Sequence, residues 1–236
     1  MTGTLSHLFA AMLVFIASHI LMSSARIRGP LISKFGDGPF KSVYSLIAAA
    51  AIYWVVSAFL NAPDDANWEP HTAFKHLSLS IMPFVCISLV ASLTPANPTL
   101  VGADGTQLAA GPKGIFRITR HPMMWAIALW GFLHVLANGE VRALIFFGGF
   151  ALLAILGTHQ VDRRKAREHG EDWQAYAAQT SHIPFAAILS KRTNFVAVEF
   201  GWLPVFLGFG LYLALLVFHE TVFDIAPMPW VSGLFD

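Results

Sequence analysis

Residues 114–140 read GIFRITRHPMMWAIALWGFLHVLANGE, and the reading of this stretch decides the fold. It opens on Arg117 and Arg120, with Lys113 just upstream, and then meets His121-Pro122. Proline suits the first turn of a helix, where the N–H it lacks would have no partner anyway. From Pro122 to Ala137 the residues are apolar or aromatic apart from His134, and Asn138-Gly139 stops the run. The stretch therefore predicts a basic gate, a proline-started helix and a histidine deep in an apolar span.

Composition extends this reading to the whole chain. Of 236 residues 56% are hydrophobic and only 12% charged, about half the charge density of an ordinary globular domain. The apolar residues come in runs long enough to cross a bilayer core as helix. The expectation is an all-α, polytopic membrane bundle of about six transmembrane helices plus an interfacial cytoplasmic helix, forming a single domain over residues 1–236. A soluble fold is excluded. Its one certain partner is the lipid bilayer; nothing points to nucleic acid. Cys86 is the only cysteine, so no intrachain disulfide or cysteine metal cluster can form.

The spans are predicted in order. Leu5–Ser23 is the first, read as a retained span because a basic n-region is missing and the apolar run is long. Residues 24–41 form a short basic loop punctuated by Gly29-Pro30 and Gly36-Asp37-Gly38-Pro39. Span two covers 43–60, with alanines 48–51 suited to close helix contact. An acidic loop with Asp64, Asp65 and Glu69 leads to span three at 76–93, which Pro83 is expected to kink. A polar loop, 94–111, contains Pro95 and Pro98. Span four is Pro122–Ala137, span five 141–157 and span six 200–218, before a tail with Pro227 and Pro229. Between the last two spans lies the longest polar segment, 158–191. Its charged turn, Asp162 to Glu168, leads to Trp173 and Tyr176, which suit a helix lying at headgroup level.

Lys and Arg gather in the loops after spans one, three and five, while the other loops hold only Lys75 and Arg142. The positive-inside rule puts the basic loops in the cytoplasm and both termini outside.

Two groups of residues can carry chemistry. His19 and His134 are ionisable groups inside spans, where polar side chains are costly and face the bundle interior. Neutral imidazole is a haem-iron ligand, and two histidines on facing helices can hold a haem between them. Alternatively, each only hydrogen-bonds a nearby carbonyl or hydroxyl. Depth weighs against level ligands. His19 lies about 10 Å inside the boundary marked by Arg26 and His134 about 21 Å beyond Arg120, at helical rise. The second group is Arg117, Arg120 and His121 at the start of span four. Free N–H groups and two guanidinium groups there make an anion site for a carboxylate, phosphate or haem propionate. The same residues also suit plain anchoring to lipid headgroups. His159, after span five, can approach His121 from the neighbouring helix. No HExxH, nucleophile elbow or hydrolytic acid pair is present.

These residues resemble a known family. The segments SHILMSSARIRGPL, FKSVYSL, RHPMMWAIALWGFLHVLANGE, and DRRK with TSHIPFAAIL are similar, nearly end to end, to NnrU proteins. Those are bacterial inner-membrane proteins associated with denitrification gene clusters. NnrU proteins in turn resemble plant 15-cis-ζ-carotene isomerase, a haem b enzyme. The resemblance implies haem b ligated by His19 and His134, with both residues as metal ligands. Arg117, Arg120 and His121 would then meet the propionates. It implies a role in nitrogen-oxide respiration. The isomerase is thought to use a cysteine three residues before its second histidine; this chain has Gly131, so thiol chemistry does not carry over.

A more distant resemblance runs to isoprenylcysteine methyltransferases, through Arg120-His121-Pro122 and a basic-acidic stretch reaching Trp173, Tyr176 and Pro184. It implies S-adenosylmethionine as an alternative cofactor. Met124 and Trp125 stand where that family usually has a tyrosine, and its paired glutamates are missing. A third reading is a non-enzymatic membrane scaffold whose histidines only lock helix packing.

Overall fold

The structure is a computed structural model that describes residues 3–64, 66–93, 97–99 and 105–227. Asp65, most of the expected 94–111 loop before Gly105, and the tail with Pro229 lie outside the described residues. The helices are α1 (Leu5–Ser23), α2 (Ala25–Phe35), α3 (Asp37–Asn61), α4 (Thr72–Ser92), α5 (Thr106–Ala109), α6 (Ile115–Ile118), α7 (Pro122–Ala137), α8 (Val141–Gln179), α9 (Ala186–Leu189) and α10 (Trp202–Phe223). A short 3₁₀ turn, Ala197–Phe200, precedes α10. Five of them, α1, α3, α4, α8 and α10, are long and apolar enough to cross a membrane, and α7 is a shorter apolar helix. The protein is a multi-pass helical membrane bundle.

Local chemistry sets the helix ends. The Thr4 hydroxyl accepts from the His7 N–H and caps α1. Gly36, at φ 87°, makes the break between α2 and α3. The His71 side chain accepts from the Ala73 N–H at the start of α4, and Pro122 begins α7 as expected.

Two expectations for the loops need correction. Residues 25–35 are helical across Gly29-Pro30 instead of turning there. Pro30 is exposed, so the carbonyl its ring leaves unbonded faces outward rather than into the core. Pro83 lies inside α4, as expected for span three. The second correction concerns the polar segment. Span five and the charged turn form one helix, α8, broken only by non-helical backbone at Gly170 (φ 51°). The continuous part before Gly170, residues 141–169, is about 44 Å long, well beyond a hydrocarbon core near 30 Å. Nothing between Gly157 and His169 stops the helix, and Arg164 pairs with Glu168 one turn on. Past the break, Trp173 and Tyr176 face the protein rather than its surroundings: they are buried with Leu108 of α5.

The long helices pack in the order α3, α1, α8, α7, α4, α10. The main core joins Leu8, Ala11, Met12 and Phe15 of α1 to Ala51, Val55 and Ala58 of α3 and Phe146 of α8. Of alanines 48–51, Ala51 is the one buried there. Large apolar side chains elsewhere, such as Leu46, Tyr53, Trp202 and Phe206, face outward in the manner of a lipid-exposed surface. At the α4–α10 crossing a Cβ on Gly208 would land on the Ile87 backbone, so only glycine allows that approach.

Candidate functional site

The predicted residues fall into two places. The first is a polar knot where α7 begins. Arg120 forks onto Asp162 of α8, with Nε–Oδ1 at 2.9 Å and Nη2–Oδ2 at 2.5 Å. His121 Nε2 lies 2.7 Å from the same Oδ1. The 181–185 segment folds against this start: the Arg120 N–H donates to the Ser181 carbonyl, and the Ile118 carbonyl accepts from the Phe185 N–H. The His182 carbonyl accepts from Trp125 Nε1 at 2.7 Å and from the Thr119 hydroxyl at 3.0 Å. This brings the His182 ring 6.0 Å from that of His121 and 4.6 Å from that of exposed His159. The anticipated approach of His159 to this face is thus present.

Electrostatics fix the protonation of His121. Its side chain is 1% exposed. Burial pushes its pKa below the ordinary histidine value, against the pull of Asp162. Arg120 already neutralises Asp162, so a charged imidazole would leave a net positive charge buried. His121 is therefore neutral, Nε2–H donates to Asp162, and Nδ1 is a buried lone pair with no partner. His182 is likewise held below its ordinary value by burial and by His159.

Arg117 is occupied too. Its Nε and Nη2 donate to Glu199 at 2.6 and 2.8 Å, and Nη1 donates to the Thr193 hydroxyl. The Gly114 N–H adds a third donor, and the carboxyl of Glu199 is pulled down to about 2, first by Arg117. Sequence reasoning singled out Arg117, Arg120 and His121 but missed their carboxylate partners. Asp162 carried one available signal: it follows His159 by three residues, on one helix face.

The second place lies within the spans. His19 Nδ1 is 2.8 Å from the Phe15 carbonyl, and His134 Nδ1 is 2.8 Å from the Trp130 carbonyl. Both rings donate one turn back along their own helix, which leaves each Nε2 as the lone pair. Aromatic rings surround them. His19 meets Phe15 and Tyr44, while His134 stacks on Phe147 at 4.5 Å and touches Trp130.

The two histidines are not level. Phe150 of α8 touches both Phe15 and Trp130, at 5.1 and 5.9 Å, which sets those two at a common height. Gly149 lies against Met12, and Glu168 reaches Arg28 beyond the end of α1, so α1 runs parallel to α8 and antiparallel to α7. His19 then lies one turn to one side of that height and His134 one turn to the other, about 12 Å apart along the axes. The rings of Phe15, Phe150 and Trp130 stand between them. Packing requires glycine at 131: a Cβ there would land on the Phe147 carbonyl oxygen of α8.

Relatives share much of this chain. The protein described as 15-cis-zeta-carotene isomerase, chloroplastic, from Arabidopsis thaliana is 27% identical over 183 residues, 76% of this chain and 49% of the plant protein. The protein of the same description from Zea mays is 26% identical over 183 residues, covering 76% and 50%. The chain spans about half the length of these curated relatives. No solved structure matches it. Residues 7–227 match the family described as NnrU protein, and with a multi-pass helical bundle in place the chain belongs to the NnrU family.

Proposed function

We propose that this NnrU protein binds haem b through His19 and His134 and serves nitrogen-oxide respiration, by redox sensing or by supporting the enzymes that reduce nitrite and nitric oxide. One observation carries the reading. In both histidines Nδ1–H is held by a backbone carbonyl at 2.8 Å, so Nε2 is the free donor, the arrangement a metal-binding imidazole needs. The donor set fits haem iron, and the aromatic walls suit a flat conjugated ring. Bound haem would supply a redox-active iron that takes diatomic ligands. The chain's own part is to present two imidazoles, each with its Nδ1 side tied to a carbonyl of its own helix, among aromatic rings. Accommodation requires Phe150 to part from Phe15 and Trp130. A propionate at the basic face would have to displace Asp162 from Arg120 or Glu199 from Arg117, so the proposal rests on the two histidines.

The setting proposed is a bacterial inner membrane, with the basic loops in the cytoplasm and both termini outside. S-adenosylmethionine binding gains no specific support, since Arg120 and His121 are engaged by Asp162 and Trp173 and Tyr176 are buried. The test is a visible spectrum of the detergent-purified protein expressed with ample haem. A Soret band is expected, and His19→Ala or His134→Ala should abolish or shift it. No band in the parent protein ends the haem reading.

A further inference from the structure

The polar knot contains a feature that haem ligation in the spans does not use. Donor-type atoms of His121, Asp162 and His182 all lie within 4.8 Å of one another. Two buried imidazole nitrogens there, Nδ1 of His121 and Nδ1 of His182, have no hydrogen-bond partner. An unpaired buried polar atom is costly, and two of them on rings 6.0 Å apart suit a ligand that accepts lone pairs. A third imidazole, exposed His159, lies with its ring 4.6 Å from His182.

We propose that these residues form a divalent transition-metal site of the zinc type. His121 and His182 ligate through Nδ1, and His159 is the third imidazole, facing the side from which an ion enters. Asp162 is not a direct ligand, because both its oxygens are taken by Arg120 and one also accepts from His121 Nε2. It plays the supporting part that a carboxylate commonly plays behind a metal-bound histidine: it accepts the far N–H and so fixes the ligating tautomer. Three imidazole nitrogens with an open fourth position suit zinc and its neighbours rather than magnesium or calcium, which prefer oxygen.

The dimensions agree. Around a tetrahedral ion with N–metal bonds near 2.0–2.1 Å, donor atoms lie about 3.4 Å apart and imidazole centres about 5 Å apart. The observed ring separations, 4.6 and 6.0 Å, bracket that spacing. Small side-chain rotations close the site. It is distinct from the proposed haem ligands, since His134 lies about 18–20 Å further along α7 than His121.

The test is a Co²⁺ titration of the full-length protein in detergent, after removal of metal by chelator. Uptake of one equivalent with four-coordinate visible bands is expected. His182→Ala and His159→Ala should each weaken it at least about 10-fold. His182→Ala spares the fold, because the bonds from Trp125 and Thr119 end on the His182 backbone carbonyl rather than on its ring. A variant-free measurement accompanies it: Zn²⁺ should protect His182 and His159 of the parent protein from diethylpyrocarbonate. No stoichiometric uptake, unchanged affinity in His182→Ala, or no protection overturns the proposal. The haem reading is untouched by any of these results, since its readout is the Soret band.

Discussion

The polar knot at the start of α7 and the aromatic middle of the bundle use histidine in opposite ways. In the knot, His121 and Arg120 are tied to Asp162, which comes from another helix 41 and 42 residues away. In the middle, His19 and His134 bond only to carbonyls of their own helices, four residues back. The first arrangement holds elements together, because its charges are compensated only while α7, α8 and the 181–185 segment stay docked. The second makes no hydrogen bond between helices through the imidazole, only ring contacts, and keeps its outer nitrogen free. The contrast separates a structural use of polar groups from one suited to ligation, and each prediction tests one side of it.

The largest effect is expected from Asp162→Ala. Arg120 and Asp162 are mostly buried, at 14% and 19% side-chain exposure. Removing the carboxylate strands a guanidinium and an imidazole in that setting, which costs about 3–5 kcal/mol. Denaturant titration in micelles would measure it. A loss below about 1 kcal/mol would mean that the knot does not hold the helices together.

A smaller loss should follow Gly131→Ala, and the same packing bears on Gly131→Cys. The added Cβ meets the Phe147 carbonyl, so α7 and α8 must separate. Overpacking of this kind costs about 1–3 kcal/mol. Thermal unfolding unchanged by either substitution would show that the α7–α8 contact is looser than described.

How much of this was legible in the sequence follows the same division. The apolar runs that define α1, α3, α4, α10 and the first part of α8 declare themselves, because each is long and apolar enough to span lipid, and α7 shows as a shorter apolar run between His121-Pro122 and Asn138-Gly139. His19, His134, Arg117, Arg120 and His121 stood out because ionisable groups in or beside apolar helices are rare. Their partners did not. Glu199 lies 82 residues from Arg117, and nothing local distinguishes it from any solvated acid. His182 was passed over for the same reason: its place beside His121 comes from backbone bonds between 118–120 and 181–185, which leave no side-chain pattern. The turn expected at Gly29-Pro30 failed because an exposed proline does not end a helix when outward carbonyls go unbonded at little cost.

The pH dependence should come next in size. His121 has a folded pKa below its unfolded value near 6.5, so the unfolded chain binds a proton first as pH falls. Stability is therefore full above that value and declines below it, by at most about 1.4 kcal/mol per pH unit for one group. His182 acts in the same direction. Glu199, pulled down to about 2, adds a separate loss only from about pH 4.5 down to 2. Melting temperatures from pH 8 to 5 should fall in the parent protein and less steeply in His121→Gln. Equal slopes would assign the pH response elsewhere.

The smallest stability effect belongs to the residues with the largest proposed role. His134→Leu and His19→Leu remove one neutral hydrogen bond to a carbonyl within the same helix, and leucine fits the apolar setting. Without cofactor each should cost about 1 kcal/mol or less, since the carbonyl left behind still accepts the backbone N–H one turn on in its helix. That is several-fold less than Asp162→Ala in the same assay. The same two variants should lose or shift the Soret band. Stability and spectrum thus move independently: a histidine that only locks packing would change the first and leave no second signal, whereas a ligand changes the second with little change in the first. A loss of more than about 3 kcal/mol in either variant, without haem, would move that histidine to the structural side of the comparison.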